Sequence, residues 1–187
     1  MERKFFLSIL CISMLCHSRV CGQQFIRNLG FEDFDAFGRT IGWEGQDQKK
    51  KYNLKIDSIA HTGKYATLIS SKPDAGAEKD TALFGSLIMN NVLKGKNTIR
   101  ITAWIKTENL SDGSASLWIK LNGMRETIAE KNSDSQSTKG NSGWTKHTLE
   151  MPLTFNVQSI YFGCRMTGRG KAWFDDFEIF VDDAPVK

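Results

Sequence analysis

Apolar and polar residues alternate along most of this chain. Tyr52, Leu54 and Ile56 alternate with Lys51, Asn53, Lys55 and Asp57, and Ile99, Ile101, Ala103 and Ile105 with Arg100, Thr102, Trp104 and Lys106. Leu117, Ile119 and Leu121 alternate with Ser116, Trp118 and Lys120, and Ile160, Phe162, Cys164 and Met166 with Tyr161, Gly163 and Arg165. Near the end, Asp175, Phe177, Ile179 and Val181 share one parity. Strict alternation of this kind predicts half-buried strands, and no window of useful length carries the apolar stripe of a helix. Turn chemistry separates the strands at His61-Thr62-Gly63-Lys64, Lys94-Gly95-Lys96-Asn97, Ser111-Asp112-Gly113-Ser114 and Leu121-Asn122-Gly123. Two polar stretches, Lys72 to Asp80 and Asn132 to Gly143, read as surface loops. There is no repeat and no interdomain linker. The pattern predicts one all-β domain, an antiparallel β-sandwich of roughly nine to eleven strands, near the size of a jelly roll.

The first residues change this picture. Arg3 and Lys4 precede a mostly apolar run from Phe5 to Leu15, too short for a membrane span and placed where a secretory signal belongs. Val20-Cys21-Gly22 before Gln23 offers a cleavage site, so residues 1–22 are read as a signal peptide and 23–187 as the exported module, periplasmic or extracellular, with no transmembrane span. Met14-Leu15 and Arg19-Val20 make poor lipoprotein boxes before Cys16 and Cys21. Three of the four cysteines fall in this segment, which leaves Cys164 alone among apolar neighbours and read as a small core residue. Removing Arg3, Lys4 and Arg19 from 25 basic residues and Glu2 from 21 acidic ones leaves 22 against 20. So even a balance carries no electrostatic footprint for nucleic acid. Lys49-Lys50-Lys51 reads as a solvated loop or an edge-strand guard.

Acidic residues also sit within or beside apolar runs at both ends: Glu32 after Asn28-Leu29-Gly30-Phe31, and Asp175 and Asp176 within Trp173-Phe174-Asp175-Asp176-Phe177. Buried carboxylates are costly unless paired or bound to a cation, so first and last strands lying side by side around a shared cation is one reading. Satisfaction of Glu32 and Asp175 by backbone N–H groups or by Lys64 is the other.

The order of these segments resembles a known pattern. It runs Asn28…Phe31-Glu32, Gly42-Trp43, Thr62-Gly63-Lys64-Tyr65-Ala66 and Lys94-Gly95-Lys96, then Ile101-Thr102-Ala103-Trp104-Ile105-Lys106-Thr107, Gly143-Trp144-Thr145-Lys146 and Gly170-Lys171-Ala172-Trp173-Phe174-Asp175-Asp176. This is similar to the carbohydrate-binding-module jelly rolls of the CenC-like group, within the galactose-binding-domain-like folds, and to versions in exported proteins of the Bacteroidetes type that precede a larger enzyme such as a peptidase. The resemblance covers nearly all of residues 23–187. It implies a structural calcium (Ca2+) where first and last strands meet, held by Glu32, backbone oxygens around Gly63 and Lys64, and Asp175.

Sugar recognition needs an aromatic face for the apolar side of a pyranose and charged or amide groups for its hydroxyls. The non-core parity supplies Arg100, Trp104 and Lys106, then Trp118 and Lys120, then Tyr161 and Arg165. If their strands are neighbours, these form one concave, basic, aromatic face. Arg100, Trp118, Lys120, Tyr161 and Trp104 are the candidate ligand residues, with Trp118 favoured as an exposed stacking platform. The competing reading covers Trp104 and Trp118 with a loop. Trp43, Trp144 and Trp173 adjoin turns or strand ends and read as packing residues.

Catalysis finds little support. Outside the signal only His61 and His147 remain, with no serine or cysteine elbow, phosphate loop or Cys/His cluster. A non-catalytic carbohydrate-binding-type module is therefore expected, with an acidic or sulfated glycan favoured. A protein-docking module of the same fold is the alternative. A lyase or hydrolase acting on the concave face, with His147 the residue to test, is the third reading.

Overall fold

The alternating segments form ten antiparallel strands among the described residues, which are 28–47, 49–75 and 80–186 of a computed structural model. In chain order these are β1 (Glu44–Gln46), β2 (Tyr52–Asp57), β3 (Ala66–Ser71), β4 (Thr81–Met89), β5 (Thr98–Asn122), β6 (Thr127–Asn132), β7 (Thr138–Pro152), β8 (Ser159–Thr167), β9 (Arg169–Val181) and β10 (Ala184–Pro185). A single helical turn, α1 (Asn90–Leu93), joins β4 to β5, and a 3-10 turn (Asp134–Gln136) joins β6 to β7. No helix among the described residues is long and apolar enough to cross a membrane. The segment read as a signal lies outside the described residues.

The strands make two layers that share β5. One layer runs β1-β4-β8-β5-β6 through the second half of β5, from Ala115 to Asn122. The other runs β2-β3-β9-β5-β7, mostly through the first half, from Thr98 to Glu108. The result is the antiparallel β-sandwich that the alternation predicts. The turn expected at Ser111–Ser114 does not reverse the chain. There β5 bends from one layer into the other. Asn109 and Asp112 take φ of 51° and 56°, which short polar side chains tolerate. A Cβ at Gly113 would lie 2.3 Å from the Thr167 carbonyl, so only glycine fits the crossing. The loop expected from Asn132 to Gly143 is also shorter than predicted, because β7 already begins at Thr138.

Inward parity from both layers builds one core. Ile99, Ile101, Ala103 and Ile105 face it from one layer, and Leu117, Ile119, Leu121, Phe162 and Cys164 from the other. Each fully buried large aliphatic or aromatic chain contributes about 1.5–3 kcal/mol. Burial also pushes the Cys164 thiol well above its ordinary range, in keeping with an inert core residue. At one end Phe31, Trp43, Phe84, Phe162 and Phe177 form an aromatic cluster, with Phe31 and Trp43 centroids 4.6 Å apart.

Two expectations need correction here. The Asn28–Glu32 segment is not a strand, although it runs beside β9, where the Phe177 N–H donates to the Leu29 carbonyl at 2.9 Å. Asp175 does not share the parity of Phe177 and Ile179. It lies opposite Trp104, while Phe174 lies opposite the core residue Ile105 and Glu178 opposite Thr102. An extra residue is therefore accommodated between Asp175 and Glu178, and Asp176 takes φ 49°. Such a bulge resets the alternation and puts Asp175 on the outward side.

Candidate functional site

The two-layer arrangement separates the candidate ligand residues. Arg100 and Trp104 lie on the outward side of one layer, and Trp118, Lys120 and Tyr161 on the outward side of the other. They cannot form one face, because Ile99–Ile105 and Leu117–Leu121 meet in the core from opposite directions. Arg100 is engaged elsewhere: its guanidinium lies 2.7 Å from the Asp183 carboxylate and 4.3 Å over the Phe180 ring. Trp104 is half-buried, with the His61 ring stacked on it at 4.0 Å and 15°.

Lys120 and Tyr161 do pair directly across β5 and β8, with Leu87 of β4 next in the row. Trp118 heads the adjacent row, opposite Gly163, with Gly85 beyond it. Its indole N–H donates to the Cys164 carbonyl at 3.1 Å, and a Cβ on Gly85 would meet its Cζ2 at 3.2 Å. The ring thus spans β8 and reaches β4 over two glycines. At 4% exposure it offers no free platform, contrary to the sequence expectation.

Tyr161 and Leu87 instead reach a larger cleft, of about 1120 Å³, along β1. Trp43, Leu54, Ile56 and Phe84 give it apolar surface, and Asp35, Arg39, Glu44 and Lys55 give it charge. The 33–41 segment that walls it is built by local chemistry. The Asp35 carboxylate accepts the N–H groups of Phe37 and Arg39 at 2.9 Å each and holds the Arg39 guanidinium at 2.7 Å. The Arg39 amide keeps that carboxyl below its usual range. Asn28 ties the segment down by donating to the Asp33 and Ile41 carbonyls, while its own carbonyl accepts the Trp43 indole N–H. Sequence reasoning missed Arg39 and Glu44. The available signal was the Asp35/Arg39 spacing in a Gly-containing hairpin.

The expected calcium ligands gather around one turn. Asp175 is buried, and its Oδ2 accepts the N–H groups of His61 at 2.8 Å and Thr62 at 3.2 Å, while Oδ1 accepts that of Asp176 at 2.8 Å. Burial pushes its pKa up to about 6, against the lowering effect of these amides. Glu32 is exposed, not inward, and its Oε1 accepts the N–H groups of Lys64 at 2.7 Å and Tyr65 at 2.9 Å. Gly63 and Lys64 thus sit where the resemblance puts them, but the turn presents amide hydrogens to the carboxylates. Calcium takes six to eight oxygen ligands. Among the described residues no three Asp, Glu, His or Cys side chains come together as a metal-binding group. The Glu32 and Asp175 carboxylates, with amide hydrogens between them, supply fewer side-chain oxygens than a calcium cage uses.

His147 belongs to the core. It is 1% exposed, lies opposite Ala103, and holds Thr138 Oγ1 at 2.9 Å through Nε2. Burial lowers its pKa, so it is a neutral packing histidine and presents no base to a substrate on an open face. Tyr52 is likewise buried, its hydroxyl donating to the Asp80 or Gly168 carbonyl. Trp43 and Trp173 are buried packing residues, as expected.

No family model matches the sequence, and no curated protein matches it. Solved structures do match the fold. TmCBM61, solved in complex with beta-1,4-galactotriose, aligns with a TM-score of 0.53 and 16% identity over 84% of this chain and 97% of its own. The CBM22-1 xylan-binding domain of Paenibacillus barcinonensis Xyn10C aligns at 0.55 and 13% identity, over 84% and 92%. The Stig cyclase Fisc from Fischerella sp. TAU aligns at 0.58 and 14% identity, over 85% and 96%. This chain therefore has the jelly-roll fold of carbohydrate-binding modules, a fold it also shares with cyclases.

Proposed function

We propose that this protein is a non-catalytic, exported carbohydrate-binding-type module that takes a glycan in the cleft along β1. The observation that carries the reading is the cleft itself. It is about 1120 Å³ in volume, with apolar surface from Leu54, Ile56 and Leu87, the Tyr161 ring, and the charged groups of Arg39, Glu44 and Lys55. Apolar surface with a few convergent polar groups suits a sugar, which has C–H faces and hydroxyl edges. Arg39 is paired with Asp35, and Glu44 offsets Lys55, so the preference for an acidic or sulfated glycan rests on Lys120 beside Tyr161. The named ligands of the fold neighbours, a galactotriose and xylan, support the substrate class and leave the particular sugar to be found.

The test is a glycan array followed by affinity-gel titration. Tyr161→Ala and Arg39→Ala should each abolish retention while leaving the melting temperature near that of the parent. A folded protein that binds no glycan on a broad array sinks the proposal. In that case the protein-docking alternative gains, because Ile41 in the cleft wall is 42% exposed and Phe37 in the same segment 84%.

A further inference from the structure

The place where calcium is expected is occupied by protein donors. We propose that this protein closes the junction between its first segment and its last long strand without a metal, the 61–65 turn and the His61 imidazole doing the work that a cation does elsewhere.

Four successive contacts define the closure. The N–H groups of His61 and Thr62 point at Asp175, and those of Lys64 and Tyr65 point at Glu32. Gly63 lies between the two pairs at φ 65°, where a Cβ would fall 2.3 Å from Glu32 Oε1. The glycine lets the turn reverse so that both pairs of amides face outward, one to each carboxylate. N–H groups can stabilise carboxylates by charge-assisted hydrogen bonds but cannot ligate a cation, so a turn in this orientation competes with calcium for the same oxygens.

The side chains complete the arrangement. His61 Nδ1 lies 2.6 Å from Asp176 Oδ2, and the Thr62 hydroxyl donates to Asp176 Oδ1 at 2.7 Å. The imidazole is stacked flat on Trp104 and has the Trp144 ring edge-on at 5.6 Å. His61 therefore ties the last strand to the turn through Asp176 and ties the turn to β5 through Trp104. A polar donor with a flat apolar face meets both demands at once. The remaining charged neighbours, Lys146 and Glu178, pair with each other at 2.6 Å.

Thermal melting of the purified protein, read by circular dichroism, tests this. Samples are dialysed against EDTA and then returned to buffer with or without millimolar calcium chloride, and bound metal is measured by mass spectrometry. The expected result is no stoichiometric metal and superimposable melts in all buffers, with His61→Ala melting lower than the parent equally in each. A site filled at a hundred times its dissociation constant would raise the melting temperature by several degrees. A melt lowered by EDTA and restored by calcium, or one calcium per chain, overturns the proposal. A His61→Ala melt identical to the parent overturns the role given to His61.

Discussion

Replacing Trp118 by alanine should cost stability first, and any loss of ligand binding should be secondary to it. The indole is 4% exposed, spans Gly163, reaches Gly85 and donates to the Cys164 carbonyl. A buried tryptophan covers roughly 150–250 Å². At about 25 cal/mol per Å² the transfer loss is roughly 4–6 kcal/mol, and partial collapse of the site brings the usual cost to about 3–5 kcal/mol. Glycines at positions 85 and 163 leave no neighbouring side chain in those strands to fill the space. Against a total stability of about 5–15 kcal/mol, this is a large fraction. The melting temperature should fall by roughly 6–20 °C, at 2–4 °C per kcal/mol for a chain of this size. Urea unfolding followed by circular dichroism measures it, with Tyr161→Ala, a half-buried cleft residue, as the comparison expected to cost under about 1 kcal/mol. If Trp118→Ala melts like the parent and only glycan retention is lost, the ring is an open platform and the reasoning from its burial fails.

Other outcomes follow from the same geometry. The folded-state pKa of Asp175 is raised from 3.8 to about 6. The folded protein therefore holds a proton between those values that the unfolded chain has released, and stability falls as pH rises through that window. The parent should lose about 2 kcal/mol relative to Asp175→Asn between pH 4 and pH 7, at 1.36 kcal/mol per unit. A constant difference across that range would refute it. Gly63→Ala should destabilise by more than about 1 kcal/mol, since it combines φ 65° with a Cβ 2.3 Å from the Glu32 carboxylate. Chemical denaturation of the variant checks this, and an unchanged midpoint would mean the turn relaxes freely. Gly85→Ala should be tolerated poorly as well, because its Cβ would sit 2.8 Å from the Phe162 carbonyl and 3.2 Å from the Trp118 ring, and a parent-like melt would show that the indole can move.

The fold was legible because alternation reports which side of a strand is buried. Ile99–Ile105, Leu117–Leu121 and Ile160–Met166 all proved to be core on the predicted parity. Alternation does not say which layer a strand belongs to. Arg100 and Trp118 therefore looked like companions, when the bend at Asn109–Gly113 carries β5 across the sandwich between them. Nor does it register a bulge: the extra residue between Asp175 and Glu178 kept the apolar spacing plausible while moving Asp175 to the other side. The burial of Trp118 depends on glycines in two other strands, a coincidence of pairing that local sequence does not carry. The calcium expectation found the right neighbourhood, since Glu32, the 61–65 turn and Asp175 do meet. Of the two readings weighed for these carboxylates, the one in which backbone N–H groups satisfy them matches the contacts of the turn, whose amide directions only the backbone conformation fixes.

The sharing of β5 between layers bears on when this chain can acquire structure. In each layer the strand beside β5 on the inner path is one of the last two long ones, β8 or β9, and each joins β5 to strands made early. Until residues 159–181 have been synthesised, β4 has only β1 to pair with and β3 only β2, neither pair is joined to β5, and β5 has only its later neighbours β6 and β7. Pairings this distant along the chain make for late and slow closure. A polypeptide that cannot complete its sandwich before its final strands emerge stays threadable until late, which suits the export proposed for it.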